Sequence, residues 1–159
     1  MKTLILYATK HGAAREIAQR IAKRIDGALI HDIKQDGAPP LADYDCIIIG
    51  SSVYAGTVHK EVKAFLGRHA DSLRKKRLGL FICGMDPSRE KAELESNFSP
   101  DILQAAKAAS YLGGVFDPKK AGAMERFIIR KIAKITEYTN TINDDKIEQF
   151  AADLSAAEA

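Results

Sequence analysis

Cys46-Ile47-Ile48-Ile49 is apolar at every position rather than at alternate ones. A strand with one face in water alternates, whereas a strand apolar throughout is buried on both faces. Its sheet must therefore be covered by helices on both sides. Thr3-Leu4-Ile5-Leu6-Tyr7-Ala8 is a second such run. After it the apolar period becomes helical: Ile17, Ile21 and Ile25 recur four apart, with Ala14, Ala18 and Ala22 beside them as a close-packing stripe. Strand and helix patterns then alternate with short links, which predicts an α/β domain built on a parallel sheet.

The predicted strands are Thr3–Ala8, Ala28–Asp32, Cys46–Gly50, Leu78–Cys83 and Ser110–Phe116. The second is short and partly polar, as an edge strand would be. Helices are predicted over Ala13–Ile25, His59–His69 and Asp144–Ala156, with a broken helix inside Ser88–Ala109. Pro100 breaks it, and Ser99 caps a restart at Asp101. Gly37, Pro39 and Pro40 leave no helix of useful length between Ile33 and Asp43. There is no internal repeat and no linker, so a single domain is expected over residues 1–159.

No apolar run approaches the ~20 residues of a membrane span, and the first run is shorter than the about 7–15 residues of a secretion signal. A cytoplasmic protein is expected. Cys46 and Cys83 fall at opposite ends of neighbouring strands, roughly 13–16 Å apart at ~3.3 Å per residue. Two free thiols are therefore expected. No Cys/His spacing resembles a metal site. Net charge is +3, and the excess is clustered: Arg68 to Arg77 form one basic run and Lys119 to Lys134 another. Each run is either a solvated face or a surface for an anionic partner. No nucleic-acid partner is expected.

The first apolar run stops at Thr9-Lys10-His11-Gly12, and a helix begins at Ala13-Ala14. A buried strand that turns through such a loop into a helix aims unpartnered backbone N–H groups at one point, where a phosphate binds. Thr9 adds a hydroxyl, Gly12 permits close backbone approach, Lys10 or Arg15 can add positive charge, and a phosphate dianion beside His11 would favour its protonated form. In open parallel sheets, ligands bind beyond the carboxyl ends of the strands. The loop after the third strand, Gly50-Ser51-Ser52-Val53-Tyr54-Ala55-Gly56, lies at that end, as does Cys83-Gly84-Met85-Asp86. Small residues allow backbone contact with a flat ligand. Tyr54 is either a stacking aromatic or a half-exposed loop residue, and Gly56 lets the Ala55–Gly56 peptide take two orientations.

On Leu4–Glu16, Cys46–Gly56 and the strand–helix spacing, the chain resembles the flavodoxin family. The resemblance implies a three-layer sandwich with a five-stranded parallel sheet of order 2-1-3-4-5, helices on both faces and noncovalent FMN. It implies FMN phosphate contacts from Thr9, Lys10, His11, Gly12, Ala13 and Ala14. The ring would be lined by Ser51, Ser52, Val53, Tyr54, Ala55 and Gly56, with backbone contacts from Cys83, Gly84, Met85 and Asp86. Family members usually carry Ser or Thr at His11 and Ala14, and a second stacking aromatic after the fourth strand. Met85 either covers that ring face or fills a core gap, so one face is left open to a substrate. Electron-carrier flavodoxins are acidic, and this chain is basic.

A narrower resemblance rests on Gly113–Asp117 and Met124–Lys134. These look like the menaquinone-dependent protoporphyrinogen dehydrogenase group, which works at the inner membrane. That group carries a longer basic insertion after the fourth strand, where Asp86–Phe98 is short and contains Glu90, Glu93 and Glu95. Residues 123–135 read as a helix with Met124, Phe127, Ile128, Ile132 and Ile135 on one stripe and Arg126, Arg130 and Lys134 on another. Such a helix docks on its own domain or lies on an anionic membrane, giving a peripheral contact through 119–134. The expected function is electron transfer by an FMN-binding protein to a redox protein partner. The alternative is an oxidoreductase acting on a porphyrinogen and a quinone. No residue constellation claims a separate catalytic role, although His59 opens a helix beside the ring loop. A receiver domain of the same topology needs an acidic pair and a phospho-acceptor Asp where this chain has Tyr7-Ala8 and Gly50-Ser51.

Overall fold

The apolar runs form the centre of one twisted sheet. In chain order its strands are β1 (Thr3–Ala8), β2 (Leu29–Asp32), β3 (Cys46–Tyr54), β4 (Thr57–Val58), β5 (Arg77–Cys83) and β6 (Ala106–Tyr111). A separate antiparallel ribbon pairs β7 (Val115–Phe116) with β8 (Thr139–Asn140). The helices are α1 (Ala13–Ala22), α2 (Lys60–Arg74), α3 (Glu90–Asn97), α4 (Pro100–Ala105), α5 (Ala123–Ile132) and α6 (Asp144–Ser155). The computed structural model describes residues 1–157; Glu158 and Ala159, the last two of the expected 1–159 domain, lie outside the described residues.

The long strands run parallel in the order β2-β1-β3-β5-β6, which is 2-1-3-4-5 counted over the five long strands. The sheet differs from expectation in its sixth strand, β4, which folds back antiparallel on β3. Alternate residues of each central strand enter opposite cores. Leu4, Leu6, Ile47, Ile49, Leu78 and Leu80 face α2, while Ile5, Ile48 and Phe81 face α1 and α6. The Phe150 ring of α6 meets Phe81 edge-on at 6.3 Å.

The fifth long strand is Ala106–Tyr111 rather than Ser110–Phe116. Its Ala-Lys-Ala-Ala stretch has helix-forming composition, but Ala108 and Tyr111 are buried against β5 and the sheet overrides local preference. The chain then leaves the sheet, because Gly113 and Gly114 press against other backbone. A Cβ on Gly113 would stand 2.0 Å from the Thr141 carbonyl oxygen, and one on Gly114 would stand 2.6 Å from that of Gly84. The first helix ends at Ala22, three residues early, and α2 runs on to Arg74, so part of the first basic run is helix end. Cys46 and Cys83 are free and buried. Because β3 is longer than predicted, Cys83 pairs with Ser52, six residues beyond Cys46. That is about 20 Å at ~3.3 Å per residue, farther than the sequence spacing suggested.

Gly50 faces Phe81 across the β3–β5 pair, and a Cβ there would fall 1.9 Å from the Phe81 ring. Gly50→Ala should therefore cost about 1–3 kcal/mol by overpacking. Gly67, exposed in α2 with open space around it, should gain about 0.5–1 kcal/mol on Gly67→Ala. Urea denaturation of the two variants measures both; equal stability changes would contradict this packing.

Candidate functional site

The register of the central strands brings three loops to one rim. Ala8, the last residue of β1, pairs with Ser51, and Ser52 pairs with Cys83, the last residue of β5. Beyond this line lies a cleft of about 960 Å³, its open mouth included. Thr9, Lys10, His11 and Ala13 line it from the first loop. Ser52–Gly56 and Cys83–Asp86 line it from the other two, together with His59 and Glu93.

The loop after β1 is built to present donors. Gly12 adopts the left-handed conformation at φ +101°, and its N–H is satisfied by the Thr9 hydroxyl oxygen at 2.8 Å. The Thr9 O–H remains a donor. No side chain caps α1, and its first helical bond runs from the Glu16 N–H to the Gly12 carbonyl at 3.0 Å. The amides at Ala13, Ala14 and Arg15 precede that bond and project from the helix end. Ala14 itself is fully buried and, with Gly12, stays off the cleft lining. Arg15 turns outward, donating from Nε to the Tyr7 hydroxyl at 3.0 Å.

β3 extends to Tyr54 and turns into β4 through Ala55 and Gly56, both at positive φ (50° and 77°). Two positive-φ residues between paired strands make a two-residue hairpin turn whose twist matches the strands. Asn97 of α3 holds the turn, donating to the Gly56 carbonyl at 2.8 Å while its side-chain oxygen accepts from the Val58 N–H at 2.9 Å. Tyr54 is 40% exposed, with the Lys10 ammonium 4.8 Å above its ring. Lys10 thus bridges the first and second loops.

Ser51 stays off the lining, because its buried hydroxyl is used inside the protein. It donates to the Ser52 carbonyl at 2.9 Å and accepts from the His59 N–H at 3.0 Å. That bond positions His59, whose Nε2 lies 2.9 Å from the Ser52 hydroxyl. Burial lowers the His59 pKa and Lys34 adds to the shift, with Lys10 acting in the same sense against Glu61 and Asp32. The third loop is braced: the Gly84 N–H donates to the Gly113 carbonyl at 3.1 Å and the Asp86 N–H to the Tyr111 hydroxyl at 2.9 Å. Two of its backbone donors are therefore already engaged. Met85 is half-buried and lines the cleft; the loop itself carries no aromatic, although Tyr111 and Phe116 also line the cleft. Glu93 is buried beside it. Burial raises its carboxyl pKa despite Arg89 at 3.2 Å.

The roof comes from α5, which contributes Ile128, Ile129 and Ile132. The helix stops at Ile132, short of the predicted 135, and Met124 and Phe127 of the same stripe are exposed. Sequence reasoning missed Glu125. Its carboxylate contacts Lys10 and bonds His11 at 2.8 Å, a contact spanning 114 residues of chain with no local signal. Among the described residues no cluster of His, Cys, Asp and Glu could hold a metal ion, and no helix is long and apolar enough to cross a membrane.

The flavodoxin domain family matches residues 4–143. The chain belongs to the flavodoxin domain family. It is 36% identical over 80 residues to protoporphyrinogen IX dehydrogenase [quinone] of Escherichia coli K12, a match covering 46% of this chain and 42% of that relative. The chain thus matches under half the length of its curated relatives. Among solved structures, flavodoxin 2 of Bacillus cereus aligns at TM-score 0.61 and 20% identity, over 98% of each chain. A flavoprotein of Lactobacillus acidophilus, in complex with FMN, aligns at TM-score 0.52 and 19% identity, over 70% of this chain and 90% of that one.

The depressed His59 pKa has a defined sign. The neutral ring contributes stability that is complete above the free-histidine value of about 6.5 and is lost as pH falls through the lower folded value. An NMR titration should give His59 a midpoint below that of free imidazole; a midpoint at or above it would show the ring to be solvated.

Proposed function

We propose that this flavodoxin domain binds FMN in the rim cleft and transfers electrons through it. The observation that carries the reading is the convergence of the donor-rich Thr9–Ala14 loop, the Tyr54–Gly56 hairpin and the Cys83–Asp86 segment at the carboxyl ends of β1, β3 and β5. When bound, FMN supplies the electron-accepting and electron-donating ring. The residues fit it. The amides of Ala13 and Arg15, the Thr9 O–H and the Lys10 ammonium meet a phosphate, while Tyr54 offers a ring face. The hairpin turn places the Ala55–Gly56 peptide at the cleft, and Asn97 fixes the Gly56 carbonyl. The neutral His59–Ser52 pair can hold or pass a proton at the cleft wall.

A second reading is an oxidoreductase that passes electrons from a porphyrinogen to a quinone at a membrane surface. It is supported by the apolar roof of Ile128, Ile129 and Ile132 over the cleft, and by the name of the 36%-identical relative. The net charge of +3 and the exposed Met124 and Phe127 on a basic helix favour a contact with an anionic membrane. Turnover of protoporphyrinogen with menadione separates this reading from a plain carrier that reduces only a protein partner.

Protein purified from flavin-replete cells should be yellow and release FMN on denaturation. Tyr54→Ala should weaken FMN binding about three- to tenfold, the size of one lost aromatic stack. Folded protein that stays colourless and takes up no FMN at micromolar concentration would rule the assignment out.

A further inference from the structure

FMN binding as proposed makes no use of Glu125, which stands on the Lys10 ammonium assigned to the phosphate. Its side chain is only 12% exposed. One carboxylate oxygen contacts the Lys10 ammonium, and the other bonds His11 Nε2 at 2.8 Å. Burial alone would raise its carboxyl pKa, but the bonds from Lys10 and His11 outweigh burial and hold it below the usual carboxylate range. The group is ionised at neutral pH.

The helix that carries Glu125 has little else to hold it. None of the α5 residues is buried. The Arg126 guanidinium bonds the Pro118 and Ala121 carbonyls, within the adjoining loop. Among the described residues, the polar contact between α5 and the sheet rim is thus made by Glu125. The helix starts at Gly122 without a side-chain cap and is followed by Lys134 at φ +57°. An anion arriving at Thr9–Ala14 meets a carboxylate already paired with Lys10 and bonded to His11, and two anions on one ammonium repel.

We propose that Glu125 is an internal competitor for the cofactor's phosphate, so that a phosphate monoester at the Thr9–Ala14 loop releases α5 from the cleft. The proposal rests on the FMN reading above. The same loop then selects against its own ligand: phosphate must displace a tethered carboxylate, and the apolar roof lifts when it does. A flavin without phosphate leaves Glu125 in place.

The test compares the full-length apoprotein with Glu125→Gln, which keeps the shape of the side chain and removes its charge. FMN should bind the variant about threefold or more tighter, the size of one partly exposed ion pair that no longer has to be broken. Riboflavin, which has no phosphate to compete with Glu125, should gain no affinity from the substitution. Independently, trypsin should cut after Arg126, Arg130 or Lys131 faster when wild-type protein is given inorganic phosphate in place of chloride at equal ionic strength. The variant should be cut fast in either salt. Unchanged or weaker FMN binding by the variant, or an equal gain for riboflavin, overturns the competition. Phosphate-independent cutting of the wild type does the same. If neither protein binds FMN, the flavin assignment alone fails, and the phosphate-dependent cutting still decides whether Glu125 latches α5.

Discussion

The structure depends on β3 being buried from both faces and paired along both edges. Ile47 and Ile49 enter the α2 core, Ile48 the α1–α6 core, while β1 and β5 supply the two ladders. A strand so enclosed has one register, because a slip by one residue would exchange the two cores. That register sets everything at the rim. Ser51 is held level with Ala8, and Ser52 level with Cys83, so three loops that are distant in sequence start from one line. The strand then leaves the interior without ending. Its last residues form one arm of the Tyr54–Gly56 hairpin and carry core rigidity into the cleft wall.

The electrostatics of the cleft follow from this convergence. The first loop spends its donors sparingly: one amide is closed by Thr9, and the helix-end amides stay available. Lys10 reaches the Tyr54 ring on one side and Glu125 on the other, so a single ammonium joins the sheet rim, the hairpin and the roof. The third loop is quieter. Its Gly84 and Asp86 amides are fixed by Gly113 and by the hydroxyl of Tyr111, whose burial raises its pKa well above the usual phenol range. It serves as a rigid wall.

The layered architecture was legible because continuous apolar runs and four-residue apolar spacing are unambiguous physical signals. The loop after β1 was legible for the same reason, since its position follows from the strand before it and the helix after it. The last long strand was not. Ala106 to Ala109 carry helix-forming side chains, and only pairing with β5 makes them extended. The reach of β3 to Tyr54 was also hidden, because Gly50, Ser51 and Ser52 read as a loop, and Val53 and Tyr54 beyond them gain their ladder from β4. Glu125 was invisible for a deeper reason. A side chain that closes a contact over more than a hundred residues leaves no trace in local pattern, and within its basic run it reads as a stray acid.

Both cysteines are buried. Burial pushes the Cys46 thiol up to about 11 and the Cys83 thiol higher still, and the two stand at opposite ends of adjoining strands. Neither forms a thiolate at physiological pH, and neither can reach the other. An oxidant at the rim therefore meets no cysteine thiolate and no dithiol pair, and the oxidisable sulfur it can reach there is the Met85 thioether that lines the cleft.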